Sequence, residues 1–349
     1  MKHLVTQLSA LTALRDRDSL DTALVNTLNE LLHPQSLSIY RLVGPSSNER
    51  WLHCAQMQDG IDQGRAGQDW LELAELPPAA AFPARLQAMR SAQVVVVDTT
   101  LICESNPALY VFPLNTQSAG NGVLEITCAA PISSMIITLV SSVLRLYQNF
   151  QSLLDYGERD SLTELLNRKT FDGAFLKATT PARHSTGKLE DDRREPQGGC
   201  GYWLAMLDID HFKRVNDNFG HLIGDEVLLL LARLMRATFR FQDQLYRFGG
   251  EEFVVLLRCG QGQQAEEAFE RLRSETEKFS FPQVGRISIS VGFTQIRHGD
   301  SPSGAFERAD KAVYYAKGHG RNQVCEYEAL VAQGQLDAEK VNMGEIELF

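Results

Sequence analysis

The chain has 349 residues, of which 44% are hydrophobic and 22% charged, an ordinary composition for a globular protein whose length favours two domains. Its net charge is -10, and Lys2 is the only lysine before Lys169, so no basic stripe is available to hold a nucleic-acid backbone. We therefore exclude nucleic acid as a partner. A polyanionic substrate would have to be held by a metal ion and a few placed cations.

The cysteines are scattered along the chain, without a CxxC pair or a histidine at ligand spacing. This pattern argues against a structural zinc site or a disulfide framework and is typical of a reducing cytoplasm. The first 18 residues carry charges within their apolar stretch, unlike a signal peptide, and the most apolar run, 132–146, is too short to span a bilayer. We expect a soluble cytoplasmic protein without a membrane span.

The N-terminal part combines a helical pattern with short strands. Apolar residues recur at helical spacing over 4–32, and a His33-Pro34 pair ends the pattern. Strand candidates follow at 36–42, 51–57, 93–97, 110–114 and 122–127, separated by turn-like segments. A helix, then several strands, then a terminal helix is an α+β pattern, which we assign to a domain over residues 1–135.

A heptad-like seam follows this domain. Its apolar residues step by fours and threes: Ile136, Val140, Val143, Tyr147, Phe150 and Leu154. The pattern predicts a helical linker over 136–159 that forms a two-stranded coiled coil between two copies of the chain. The alternative is an amphipathic helix packed on its own domain.

The C-terminal part predicts a second domain over 160–328, followed by a tail at 329–349 to which we assign no role. A helix reaches about residue 177, and the polar stretch 179–201 has the composition of a surface loop. Strands are then predicted at 202–208, 244–248, 251–258, 286–296 and 323–327, with helices at 223–239, 263–279 and 303–317. Strand-helix-strand-strand-helix-strand is the ferredoxin-like order.

Two groups of carboxylates stand out in this domain. Asp208 and Asp210 end an apolar strand, where a carboxylate can hold a hard cation such as Mg²⁺, although such a residue can also simply cap the next turn. Glu251 and Glu252 follow a Gly-Gly pair that predicts a tight hairpin. Adjacent residues of a strand point to opposite faces, so only one glutamate is expected beside Asp208.

Polar and cationic groups flank these carboxylates. Asn216 and Asp225 offer the acceptors and donors that read a guanine edge, and Lys317 and Arg321 could clamp phosphates. Each group also has an ordinary structural explanation. Asn216 and Asp225 suit turns and helix starts, and cations at a helix end complement the helix dipole.

Together these motifs resemble the GGDEF family of diguanylate cyclases. The segment 160–168 resembles the family's DxLTxLxNR opening, and 207–225 follows its metal and guanine motif. The hairpin 247–253 is the signature in its GGEEF form, and 316–322 matches the closing AKxxGRN. The resemblance covers about residues 156–327. One departure is Glu164, where the family has glycine, which we place on the opening helix.

The resemblance implies a site that condenses two GTP molecules into cyclic di-GMP. Asp208, Glu251 and the carbonyl of Ile209 would bind Mg²⁺, with Mn²⁺ as a substitute. Glu251 would also take the proton from the attacking hydroxyl, Glu252 would assist metal binding, and Lys213 would stabilise the transferring phosphate. The substrate contacts implied are Asn216, His221, Asp225, Gly249, Gly250, Lys317 and Arg321. Because each domain binds one GTP, the resemblance implies a homodimer.

A further motif, Arg240-Phe-Gln-Asp243, lies ahead of the signature, with Asp243 four positions before Arg247. It resembles the family's product-inhibition site for cyclic di-GMP, to which Arg271 would add a second arginine. The alternative is an exposed salt bridge between Arg240 and Asp243 at i, i+3.

The N-terminal domain resembles a GAF domain through segments 37–42, 111–114 and 122–126. His53 and Cys54 there invite a haem or redox interpretation, but such residues in a strand are usually packing residues. We predict an α+β protein with a GAF-like α/β sensory domain and a C-terminal ferredoxin-like, palm-type GGDEF domain whose sheet contains antiparallel strands. The rival functions are an inactive GGDEF module that senses GTP or cyclic di-GMP, and a structural dimer scaffold.

Overall fold

The structure of the chain is a computed structural model that describes residues 17–45, 47–62, 73–98, 108–115, 121–179, 201–240 and 242–337. The chain divides into two compact units, Met1–Gly157 and Glu158–Phe349. Each unit has its own hydrophobic core and its own six-stranded sheet. Among the described helices, none is long and apolar enough to cross a membrane.

The first unit is an antiparallel sheet covered on both faces. Its elements are α1 (Arg17–Leu32), β1 (Ser36–Val43), β2 (Arg50–Gln58), β3 (Ile61–Asp62), α2 (Pro83–Ser91), β4 (Val95–Asp98), β5 (Ala108–Asn115), β6 (Asn121–Cys128) and α3 (Ser134–Glu158). The strand order is β3-β2-β1-β6-β5-β4. Side chains of α1 and α3 pack on one face, and those of α2 on the other. The five predicted strands coincide with β1, β2, β4, β5 and β6, whereas α2 was not predicted.

Helix α3 carries the predicted seam, and the structure buries that seam in the first unit. Val140, Val143 and Tyr147 are 0%, 4% and 2% exposed within the core formed with α1 and the sheet. The Tyr147 hydroxyl also bonds the buried carboxylate of Asp21, which pairs with Arg41 at 2.9 Å. These are the contacts of an amphipathic helix packed on its own domain, so the predicted coiled coil through this face is wrong.

The second unit is built on the predicted ferredoxin-like order. Its elements are β7 (Leu166–Asn167), α4 (Arg168–Thr179), β8 (Gly201–Ile209), α5 (Phe212–Phe219), α6 (His221–Thr238), β9 (Gln244–Gly249), β10 (Glu252–Cys259), α7 (Gly262–Lys278), β11 (Ile289–Ile296), α8 (Pro302–Gly318), β12 (Val324–Glu326) and α9 (Tyr327–Ala332). The central strands run antiparallel in the order β11-β8-β10-β9, and β12 and β7 add parallel edges. Helices α5, α6 and α7 pack on one face, and α4 and α8 contribute to the core on the other. Strand β8 therefore lies in the middle of the sheet, and its end carries Asp208.

Three local features differ from the expectations. Glu164 lies in a turn before α4, not on a helix, and adopts the left-handed region at φ 58°, where the family's glycine carries no steric cost. The segment from Phe212 folds as the separate helix α5. Leu330, in the tail to which we assigned no role, is buried with Tyr327 against α8. Most of the predicted loop at 179–201 lies outside the described residues.

Candidate active site

Asp208 lies at the end of β8, where its carboxylate meets a cation from another element. Lys317 Nζ at the end of α8 lies 2.8 Å from Asp208 Oδ1. Burial raises the pKa of Asp208, and the negative charges of Asp210 and Asp310 raise it further, whereas Lys317 opposes the rise. A partly buried carboxylate among other acids attracts a cation, and in this structure Lys317 meets that need.

Asp210, two residues further, serves a different purpose. It is buried and accepts hydrogen bonds from the hydroxyls of Ser288 and Ser290, both at 2.7 Å, and from the backbone N–H of Asn322 at 3.0 Å. Through these bonds Asp210 joins the start of β11 to the turn formed by Arg321 and Asn322. Sequence reasoning assigned it no separate role, although the alternating serines before Val291 were a usable signal.

The Gly-Gly hairpin joins β9 to β10 and is held from one side. Gly249 and Gly250 have φ values of 145° and 53°, the region that favours glycine. Arg247 Nε and Nη2 donate to the carbonyl of Gly250 at 3.1 and 2.9 Å, and Nη1 lies 3.0 Å from Asp160 Oδ1. The side chain of Arg247 therefore ties the hairpin to the opening motif of the domain.

Glu251 occupies the hairpin itself and belongs to the same electrostatic group as Asp208. Burial raises its pKa, the charges of Asp208 and Glu252 add to the rise, and Lys317 opposes it. Strand β10 begins only at Glu252, so strand alternation does not govern Glu251. Exposed Glu252 has its Cα paired with that of Asp208 across the sheet. The structure thus brings both glutamates to the end of β8 that carries Asp208.

Helices α5 and α6 carry the predicted guanine contacts and also Lys213, the predicted contact of the transferring phosphate. Lys213 is exposed in the first turn of α5, and His221 and Asp225 are exposed at the start of α6. Gly224 is buried against Asn216, since a Cβ at Gly224 would lie 2.0 Å from Asn216 Oδ1. Glycine at this position therefore lets Asn216 pack beside the residue that precedes Asp225.

The predicted phosphate contacts lie at the end of α8. Lys317 is in its last turn, and the exposed Arg321 follows, with its backbone N–H donating to the carbonyl of Ala316 at 2.9 Å. Because Asn322 bonds Asp210, this turn lies against the end of β8. The elements that carry Asp208, Glu251 and Arg321 therefore converge at one end of the sheet.

The predicted inhibitory residues surround the turn between α6 and β9. Asp243 Oδ2 accepts the backbone N–H of Arg240 at 2.8 Å, so this carboxylate closes the turn. Arg271 Nη2, from α7, donates to the carbonyl of Thr238 at 3.2 Å. Strand β9 runs from this turn to the Gly-Gly hairpin, so the group lies one strand length from the carboxylates.

The donor set at β8 fits a magnesium ion shared with a nucleotide. Within the described residues, no three or more His, Cys, Asp or Glu side chains are grouped to hold a metal. Magnesium usually binds one or two carboxylates and completes its shell with phosphate and water oxygens. Asp208 and Glu251 supply two carboxylates. Burial, and after it the charge of Asp208, raises the pKa of Glu251, and a divalent cation would relieve the repulsion between the two charges.

In the first unit, His53 and Cys54 behave as packing residues of β2. Cys54 is buried and its thiol contacts the carbonyl of Leu52 at 3.7 Å, while the His53 ring lies 5.0 Å from that of Tyr40.

Comparison with known proteins identifies the second unit. Residues 158–323 match the model of the family described as diguanylate cyclase, GGDEF domain. The chain is 44% identical to diguanylate cyclase DgcP of Pseudomonas aeruginosa over 142 residues, covering 39% of this chain and 21% of DgcP. It is 35% identical to the response regulator PleD of Caulobacter vibrioides over 186 residues, covering 51% of this chain and 38% of PleD.

Diguanylate cyclase DgcM of Escherichia coli is 32% identical over 202 residues, covering 57% of this chain and 46% of DgcM. The chain thus spans less than half the length of each of these relatives. Among solved structures, the GGDEF domain of DgcB from Caulobacter crescentus in complex with c-di-GMP is 33% identical, with a TM-score of 0.43, covering 49% of this chain and 96% of that one. Residues 158–323 of the chain are a GGDEF domain of the diguanylate cyclase family.

Proposed function

We propose that the chain is a diguanylate cyclase, which condenses two GTP molecules into cyclic di-GMP and two pyrophosphates. The observation that carries this proposal is the grouping of Asp208, Glu251 and Lys317 at the end of β8. It supplies carboxylates for a divalent cation and a cation for phosphate at one place, within a domain shared with several cyclases.

In this mechanism the 3′-hydroxyl of one GTP attacks the α-phosphate of the other. Glu251 accepts the hydroxyl proton, an O–P bond forms, and the bond to pyrophosphate breaks; the second half-reaction repeats these events and closes the ring. Lys213 would stabilise the transferring phosphate, and Glu252 would assist metal binding. Asp208, Glu251 and the carbonyl of Ile209 would hold Mg²⁺, or Mn²⁺ in its place, which when bound neutralises charge on phosphate oxygens.

The remaining site residues hold the substrate. Asn216 and Asp225 pair with the guanine edge, with His221 nearby, while Gly249 and Gly250 leave room for the nucleotide to approach the backbone. Arg321 binds the distal phosphates, and Lys317 exchanges its bond to Asp208 for one to the same phosphates.

A GGDEF module that only senses a nucleotide is the second candidate. Such a receptor would bind GTP or cyclic di-GMP without turning GTP over. Incubation of the purified chain with GTP and Mg²⁺ separates the two functions, because only the enzyme forms cyclic di-GMP and releases pyrophosphate. Binding of GTP without either product would support the receptor.

Because each domain would hold one GTP, the reaction needs two copies, and the outward face of α3 offers a surface for the second. Positions on this face again step by fours and threes, five of the seven are apolar, and four of these are 43% to 87% exposed. The positions are Met135, Leu139, Ser142, Leu146, Asn149, Leu153 and Tyr156. Arg145 is the only charged residue of α3 exposed on this side, and depletion of charge is typical of interface cores.

Replacing Leu146 and Leu153 by glutamate should therefore give a monomer whose specific cyclase activity is at least about tenfold lower, since each glutamate opposes its own copy across the interface. Light scattering and the cyclase assay measure the two effects. Leu176→Glu, at a leucine of α4 that is 67% exposed, is the matched control and should change neither. A double variant that stays dimeric would exclude this face.

The turn around Arg240 is proposed as an inhibitory site for cyclic di-GMP, with Asp243 and Arg271. Arg240→Ala removes a planar donor fork suited to phosphate and guanine and touches nothing at the carboxylates. The initial rate should stay near that of the wild type, while the inhibition constant of added cyclic di-GMP rises at least about tenfold. Arg233→Ala, an exposed arginine of α6, is the control. An unchanged inhibition constant would leave Arg240 as a surface charge.

For the first unit we propose a GAF-like sensory role. The support is its antiparallel six-stranded sheet with α1 and α3 on one face, together with the resemblance of its strands to that domain. We also propose a cytoplasmic location, because the cysteines are scattered along the chain without a CxxC pair, a pattern typical of a reducing compartment.

A further inference from the structure

The turn that carries Arg321 has an unfavourable backbone. Arg321 and Asn322 are consecutive non-glycine residues in the left-handed region, with φ values of 62° and 47°. Residues with a Cβ adopt this conformation singly and rarely, and they keep it only where neighbouring groups hold them. The contacts that hold this turn therefore set the position from which the Arg321 side chain extends.

Asn322 is held from two sides. Its backbone N–H donates to buried Asp210 at 3.0 Å. Its side chain belongs to a closed ring of hydrogen bonds with α7: Arg273 Nη1 donates to Asn322 Oδ1 at 2.7 Å and to Glu277 Oε2 at 2.8 Å, and Asn322 Nδ2 donates to Glu277 Oε1 at 2.8 Å. Each member of the ring contacts the other two.

Arg273 is suited to organise this ring. Its side chain is 14% exposed, and a second carboxylate, Glu270, accepts from its Nε and Nη2 at 2.6 to 2.9 Å. The hydrogen bonds that Arg273 donates to Glu270 and Glu277 raise its pKa, and the bonds that Glu277 accepts from Arg273 and Asn322 lower the pKa of Glu277. These hydrogen bonds therefore favour the charged forms of both Arg273 and Glu277.

We propose that Arg273 is a positioning residue for Arg321, acting through Asn322 to hold the phosphate-binding turn in its left-handed conformation. The proposal rests on the proposed function, in which Arg321 binds the distal phosphates of GTP. Arg273 bonds the side chain of Asn322, whereas Asp210 accepts the backbone N–H of Asn322. The other hydrogen bonds of Arg273 go to Glu270 and Glu277, outside the proposed metal and guanine contacts. Its contribution is therefore confined to nucleotides that carry β- and γ-phosphates.

Equilibrium binding of GTP and GMP to the full chain tests this assignment. Arg273→Ala should weaken GTP binding about tenfold, because Arg321 is no longer held where it can contact the distal phosphates. GMP lacks those phosphates, so its binding should be unchanged. In the cyclase assay the same variant should raise KM with little change in kcat. Arg273→Lys should recover part of the GTP affinity, because one ammonium can still reach Asn322.

Lys278→Ala removes an exposed cation of the same helix, whose Nζ lies 3.6 Å from Glu275 Oε1, and it should leave both affinities unchanged. Equal losses of GTP and GMP binding in Arg273→Ala would show a general structural role and overturn the proposal. So would a wild-type chain that binds GTP no more tightly than GMP. Failure of the proposed function is a separate result, namely tight GTP binding without cyclic di-GMP.

Discussion

Glu251→Ala is expected to abolish cyclic di-GMP formation, with a loss of at least about 100-fold in turnover. The substitution removes a half-buried carboxylate whose charge is coupled to that of Asp208, and with it both a ligand for the divalent cation and the proton acceptor. Glu251 lies in the turn outside β10, so the fold should survive. Circular dichroism and thermal unfolding should match the wild type while the cyclase assay shows no product.

Glu252→Ala is the comparison for this variant. The two glutamates are neighbours in one hairpin, but Glu252 is exposed and has only an assisting part in the proposed chemistry. The loss of cyclase activity in Glu252→Ala should be several-fold smaller than in Glu251→Ala. If Glu251→Ala keeps the wild-type rate, or if the two variants lose equal activity, the assignment of Glu251 is wrong.

Asp225→Ala is expected to weaken GTP binding and to relax discrimination against ATP. An aspartate that accepts from the donors of guanine is left unmatched when adenine enters, which costs on the order of a few kcal/mol, or about 100-fold in selectivity. Removing the carboxylate removes that penalty. The ratio of the ATP to the GTP dissociation constant, measured by calorimetry, should fall toward one.

Asp217→Ala provides the matched control, because Asp217 is an exposed carboxylate on α5 close to Asn216 in sequence. The control should retain the wild-type ratio. Unchanged discrimination in Asp225→Ala would remove Asp225 from the guanine pocket.

Periodicity was sufficient to predict the ferredoxin-like order of the second unit. Strands β8, β10 and β11 read as apolar runs because both faces of their sheet are covered, and the intervening helices show regular apolar spacing. Asp208 could be placed at the end of β8 because an apolar run ends there. Its convergence with Lys317 rested on the family resemblance, since about 100 residues separate them in the chain.

The face of α3 that packs inward was beyond sequence reasoning. Both faces of this helix carry apolar residues at heptad spacing, and only tertiary contacts with α1 and the sheet select the Val140 face. The same limit applies to Asp210 and Arg273, whose partners lie far along the chain. Glu164 was misplaced because its turn requires a left-handed residue that glutamate does not signal.

The measurement that tests the central proposal most directly is a time course of the purified chain with GTP and Mg²⁺, followed by chromatography and a pyrophosphate assay. The proposed function predicts that two GTP molecules disappear and two pyrophosphates are released for each cyclic di-GMP formed. The same incubation of Glu251→Ala should leave GTP intact. GTP that binds but remains unchanged, or that is cleaved to GDP and phosphate without a cyclic dinucleotide, would contradict the proposal.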